Sequence, residues 1–219
     1  MSQKICVVVG AGPGVGLAVA KRFGREGFKV ALVARKQETL DGCVAEMKQA
    51  GTETLGFAAD ASDFASLKNA FAQIKAQLGD PTVLVYNAAV LKSGVPSELA
   101  SEDLINNFVV NVAGALISAQ QVIPAMKAKK QGTILFTGGG LALYPSPQYA
   151  SLAIGKAGIR NLAYSLGAEL EPDNIQVATV TIAGMVQPGT HFDPDLIAET
   201  YWQLHQQPAD QKQREVVYK

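Results

Sequence analysis

Apolar and polar positions alternate along this chain between two patterns. Short runs rich in β-branched residues occupy 4–9, 29–34, 54–59, 82–86, 133–136, 175–182 and 215–218. Continuous apolar runs of this length predict strands covered on both faces. Between them lie stretches with apolar residues at helical spacing, at 14–25, 37–50, 63–78, 101–128, 147–171 and 194–205. Leu40, Val44 and Met47 mark one such face; Phe64, Leu67, Phe71, Ile74 and Leu78 mark another. Ser101 before Glu102 and Asp103 reads as a helix N-cap, and Ser146 before Pro147 reads as the start of the next long helix.

Strict strand–helix alternation predicts an α/β fold: a doubly wound parallel sheet of about seven strands with helices on both faces. No Pro-, Gly- or Ser-rich linker divides residues 1–219 and no solenoid-period repeat is present, so a single domain is expected. With 48% hydrophobic and 17% charged residues, the chain has ample material for a core. Lys plus Arg and Asp plus Glu both number 19, which argues against a nucleic-acid or anionic-membrane partner. Two cysteines (Cys6, Cys43) and two histidines (His191, His205) offer neither a disulfide framework nor a metal site. The apolar stretches 104–126 and 131–155 are broken by Asn, Gln, Ser, Gly or Pro, and neither reads as a membrane span. No signal-peptide cleavage pattern precedes the first strand, so a cytoplasmic setting is the expectation.

Residues 9–16 read V-G-A-G-P-G-V-G, between the first strand and the first helix. A glycine turn there lets backbone N–H groups approach a pyrophosphate at the positive end of the helix dipole. Gly10, Gly12, Gly14, Val15 and Gly16 are the candidates. The spacing Gly10-x-Gly12 then Gly14 lacks the last interval of the general dinucleotide fingerprint. Gly10-x-x-x-Gly14-x-Gly16 instead resembles the glycine motif of the short-chain dehydrogenase/reductase family, with Val9 where that family usually has Thr.

Further motifs resemble the same family, in order, over nearly the whole chain. Asp60, with Ala61 beside it, stands where family members contact the adenine. Tyr86-Asn87-Ala88-Ala89 resembles the family's Asn-Asn-Ala-Gly. Asn111 and Lys156 match its helix Asn and active-site Lys. Ala183-Gly184-Met185-Val186 resembles the Pro-Gly segment that packs on nicotinamide, giving Gly184 and Val186 as candidates. The resemblance implies a Rossmann-type nicotinamide dinucleotide site, a small-molecule substrate, and a homo-oligomer, dimer or tetramer, paired through the two long helices. Small residues Ala157, Ala163, Gly167 and Ala168 are expected to let those helices approach.

Ala34 stands where an NAD site commonly carries an acid for the ribose 2′-hydroxyl, and Arg35 and Lys36 follow. A guanidinium attracts a 2′-phosphate through charge-assisted hydrogen bonds, so NADP is expected over NAD. The catalytic set departs from the family pattern. Four residues before Lys156 stands Leu152, not Tyr, and thirteen before that stands Gly139, not Ser. Tyr149 is the candidate replacement, seven residues before Lys156, with Tyr144 a weaker one and Thr137 read as strand core. On a helix, seven residues share a face to within about 20° and lie about 10.5 Å apart. The divergent enoyl-thioester reductases of the family carry Tyr and Lys at this spacing. Two functions follow as expectations. One is an oxidoreductase moving hydride between nicotinamide and a neutral carbonyl or activated C=C bond, with Asn111, Tyr149 and Lys156 catalytic. The other is an NADP-binding sensor or structural subunit without turnover.

Overall fold

The computed structural model describes residues 4–219. Seven strands, β1 (Ile5–Val9), β2 (Lys29–Ala34), β3 (Thr54–Ala58), β4 (Val83–Tyr86), β5 (Gly132–Thr137), β6 (Ile175–Ile182) and β7 (Glu215–Tyr218), form one sheet in the order β3-β2-β1-β4-β5-β6-β7. Every neighbouring pair is parallel. Parallel strands need crossovers, here the helices α1 (Val15–Arg25), α2 (Gln37–Gln49), α3 (Phe64–Gln77), α4 (Ser101–Phe108), α5 (Gly114–Lys129), α6 (Ala150–Leu170) and α7 (Pro194–Gln206). They cover both faces. One core layer joins α3, α5 and α6 to the sheet through Phe71, Val122 and Ile159; the other joins α1, α2 and α7 through Phe23, Leu40 and Tyr201. All residues of β1, β4 and β6 are buried, and β1 and β4 accordingly read as unbroken apolar runs, while β6 also buries Gln176, Thr179 and Thr181. Cys6 and Cys43 are buried free thiols, and burial raises both.

Three local features depart from the sequence pattern. The stretch 101–128 is not one regular helix. A wide π turn, Val109–Ala113, separates α4 from α5, and the Val110 carbonyl at that turn accepts a hydrogen bond from the buried Tyr86 hydroxyl. The next long helix starts at Ala150 rather than Pro147, and the Ser146 hydroxyl bonds the Gln148 side chain instead of capping it. Ala163 and Gly167 point into the protein, one in the core and the other beneath Arg214, so only Ala157 and Ala168 of the four small residues face outward. By length and composition only, Ser101–Lys129 is long and apolar enough to cross a membrane. In the fold it is a layer helix, with α5 packed on α3, β4 and β5 and α4 packed on α6.

The edge strand β7 is tied down by one carboxylate. Glu215 accepts hydrogen bonds from Arg160 at 2.9 and 3.0 Å, Tyr164 at 2.9 Å and Thr181 at 2.6 Å. Burial alone would raise its pKa, but these donors outweigh burial and hold it below the usual carboxylate value. A depressed acid stabilises the fold above its unfolded pKa and loses that contribution as pH falls through the folded one. Replacing Glu215→Gln is expected to cost about 1–3 kcal/mol at neutral pH and to flatten the acid limb of the stability–pH curve, as urea titrations at several pH values will show.

Candidate active site

The sheet order reverses direction between β1 and β4, and a cleft of about 1170 Å³ opens at their carboxyl ends. Gly10 and Gly14 shape its floor. Gly10 sits at φ +86°, and a Cβ there would lie 2.3 Å from the Ala88 nitrogen, so only glycine lets the β1 and β4 ends approach. Gly14, at φ +106°, ends the turn and is the N-cap of α1, with no side chain capping it and no acid in the first turn. The N–H groups of Leu17 and Ala18 return to Gly12 and Gly14 carbonyls, while those of Val15 and Gly16 have no protein acceptor among the described residues. Bare first-turn amides at a helix N-terminus fit an anionic group such as a pyrophosphate. Across the cleft, Arg35 and Lys36 follow β2, and Asp60 lies near Arg35. The Asp60 carboxylate accepts bonds from the Ser62 backbone at 2.8 Å and hydroxyl at 2.7 Å, and the Ser62 backbone bond, with a smaller contribution from Arg35, lowers its pKa against the opposing effect of burial.

Lys156, on α6, reaches across Gly139 and donates from Nζ to the Thr137 carbonyl at 2.7 Å. A Cβ at 139 would sit 3.2–3.3 Å from the lysine's Cγ, Cδ and Cε, so the lysine stem fills the space beside that glycine. Desolvation pushes the ammonium down to about 8. A hydroxyl chain supports this arrangement. The Thr137 hydroxyl donates to Asn87 Oδ1 at 2.9 Å, and its second contact is the buried Tyr201 hydroxyl at 2.7 Å. Thr137 has one proton to give, so Tyr201 is the donor in that contact. Asn87 Nδ2 continues the chain to the Gly10 carbonyl at 3.0 Å. Helix α7 is thereby linked to the strand end that holds Lys156 and to the glycine turn.

Of the residues singled out from sequence, Gly10, Gly14, Val15, Arg35, Asp60, Ala61, Asn87, Ala88, Tyr149, Lys156, Gly184 and Val186 line this one cleft. Gly12 and Gly16 stand outside its lining. Gly16 is needed for packing, since a Cβ there would lie 2.7 Å from the Gly10 carbonyl. Asn111 also lies behind the cleft wall: its Oδ1 accepts from the Val90 N–H at 2.7 Å, and its Nδ2 is buried without a partner among the described residues. Tyr149 is not in the first turn of α6. It is the N-cap, at φ −132° and ψ 45°, with 43% of its surface exposed. Its backbone is clamped by Gly94, which donates to the Gln148 carbonyl at 2.8 Å and accepts from the Ala150 N–H at 3.1 Å. Leu152, only 5% exposed, places an apolar side chain at the cleft beside Lys156. Sequence reading gave Thr137 a core role and Tyr201 none; their pairing spans 64 residues and leaves no local signal.

A family pattern described as short chain dehydrogenase matches residues 4–194. The 2,3-dihydro-2,3-dihydroxybenzoate dehydrogenase of Bacillus subtilis is 30% identical over 187 residues, covering 85% of this chain and 69% of the relative. A short-chain dehydrogenase from Rhodopseudomonas palustris superposes with TM-score 0.90 at 28% identity, covering 100% of this chain and 99% of that one. A metagenomic short-chain oxidoreductase solved in complex with NADP gives TM-score 0.90 at 28% identity, with 99% and 97% covered. The fold, the glycine turn and these matches agree: the chain belongs to the short-chain dehydrogenase family, a family of oxidoreductases.

Proposed function

We propose that this chain is an NADP-dependent oxidoreductase acting on a neutral carbonyl or activated C=C substrate, with a proton donor outside the family's usual position. The observation that carries this reading is the bare N-terminus of α1 facing Arg35 within the same cleft as Lys156. The NADP complex of the metagenomic relative supports the coenzyme assignment. The bound coenzyme supplies or accepts the hydride. The Val15 and Gly16 amides hold the pyrophosphate, and Arg35 with Lys36 takes the 2′-phosphate. Asp60 and Ala61 border the adenine; Asn87 and Ala88 border the path to the nicotinamide end, where Gly184 and Val186 pack. Lys156 holds ribose hydroxyls, and Tyr149, at the mouth, gives the proton to the substrate. Asn111 acts at one remove, by fixing the Val90 loop. A homo-oligomer paired through α4 and α6 goes with this reading, supported by the exposed Ile105, Phe108 and Tyr164.

A second reading, an NADP-binding sensor or structural subunit, draws on Leu152 and Gly139, which put no hydroxyl where family enzymes carry two. A panel of ketones, aldehydes and enoyl thioesters separates the two: NADPH oxidation on any of them supports the enzyme, and tight NADPH binding with none supports the sensor.

NADPH is expected to bind at least tenfold more tightly than NADH, and Arg35→Ala to remove about tenfold or more of that preference. Equal affinities in the wild-type protein refute the 2′-phosphate assignment. Tyr149→Phe is expected to lower turnover by about a hundredfold without weakening NADPH binding; undiminished turnover removes Tyr149 from the chemistry. Lys156 binds its proton less well folded than unfolded, so the unfolded chain holds more protons between pH about 8 and 10.5 and stability rises with pH across that window. Chemical denaturation from pH 7 to 10.5 will show this rise in the wild-type protein and its loss in Lys156→Met.

A further inference from the structure

A second cavity, of about 590 Å³, lies beside the cleft, between the start of α4, the 141–147 segment and the first turns of α6. Leu99 and Leu104 form one wall, Leu141 and Pro145 another, and Ala153 and Ile154 the third. No charged residue lines it, and Ser146 is its one polar residue. Leu141 and Ser146 line the main cleft as well, so the two spaces adjoin along these two residues. The cleft mouth is itself apolar. Leu91, Tyr144 and Met185 come from three separate loops, line the cleft, and are 78%, 78% and 81% exposed. Large apolar side chains gathered from three loops at one opening mark a binding surface, whereas single scattered ones need no explanation.

We infer that this side cavity receives an unbranched alkyl or acyl tail of the substrate, whose reacting carbonyl or C=C group lies beside Lys156. The inference rests on the proposed oxidoreductase reading and narrows it to substrates with a neutral apolar chain. Three observations select this occupant. The cavity adjoins the cleft through shared lining, its size lies within the range of about 300–1,000 Å³ typical of small-ligand pockets, and residues 131–155, which form much of both walls, carry no charge. A second copy of the chain laid over α4 and α6 would cover the cavity from outside but would not account for the walls it shares with the cleft.

The test is calorimetric titration of the protein with straight-chain 2-alkanones from 2-pentanone to 2-decanone, with and without NADP. Affinity is expected to rise about fourfold for each added methylene. Ala157→Phe and Ala142→Phe, which fill the cavity from α6 and from the 141–147 segment at positions not fully buried, are expected to stop that rise. A flat wild-type series overturns the inference, including one accompanied by sedimentation evidence that a second copy closes the cavity. An equal rise in wild type and both variants overturns it too. NADP affinity is read in the same titrations, so failure of the coenzyme assignment is seen separately from failure of the tail pocket.

Discussion

Two backbone amides at the start of α1, those of Val15 and Gly16, have no acceptor within the described protein. A helix N-terminus left bare at the carboxyl ends of the strands carries uncompensated positive potential. The surroundings keep it bare: Gly14 caps without a side chain, and Gly10 draws the β4 end too close for any larger residue. Such an arrangement is stable in water but is far better satisfied by an anion. The cleft, the position of Arg35 and the placement of Lys156 at the far end all take their meaning from that constraint.

The second organising feature is the hydroxyl chain from Tyr201 through Thr137 and Asn87 to Gly10. Each group is satisfied by the next, so the strand ends are fixed relative to one another by neutral hydrogen bonds. Lys156 then hangs its ammonium on the Thr137 carbonyl, with its stem against Gly139. Desolvation without a carboxylate partner lowers its proton affinity, which suits the proposed placement of a nicotinamide ring beside it. Leu152, one helical turn before the lysine, makes this end of the cleft drier than a hydroxyl would.

The sheet, its parallel sense and most helix boundaries were readable from apolar periodicity, because fully buried strands and one-sided helices leave strong local patterns. The glycine turn was readable because its strand and helix contexts flank it directly. The start of α6 was misread because Ser146-Pro147 imitates a helix start, whereas in three dimensions that segment pairs with Gly94, more than fifty residues earlier. The π turn in the 101–128 stretch left no local trace; the partner of its Val110 carbonyl, Tyr86, stands on β4, 24 residues earlier. Gly12 and Gly16 stand outside the cleft lining, and the absence of a side chain at Gly16 serves packing while its N–H is left without an acceptor among the described residues. Asn111 likewise belongs to the wall, where it fixes a loop through Val90. Contacts that join distant elements carry no periodicity, and they decide which candidate residues face the ligand.

The most direct test follows the backbone amide resonances of residues 10–16 by nuclear magnetic resonance while NADPH is added. The account predicts saturable shifts centred on Val15 and Gly16, as expected when first-turn N–H groups acquire a phosphate acceptor, with smaller changes at the Arg35 amide. Unchanged Val15 and Gly16 resonances at saturating coenzyme, or shifts confined to another part of the molecule, would contradict it.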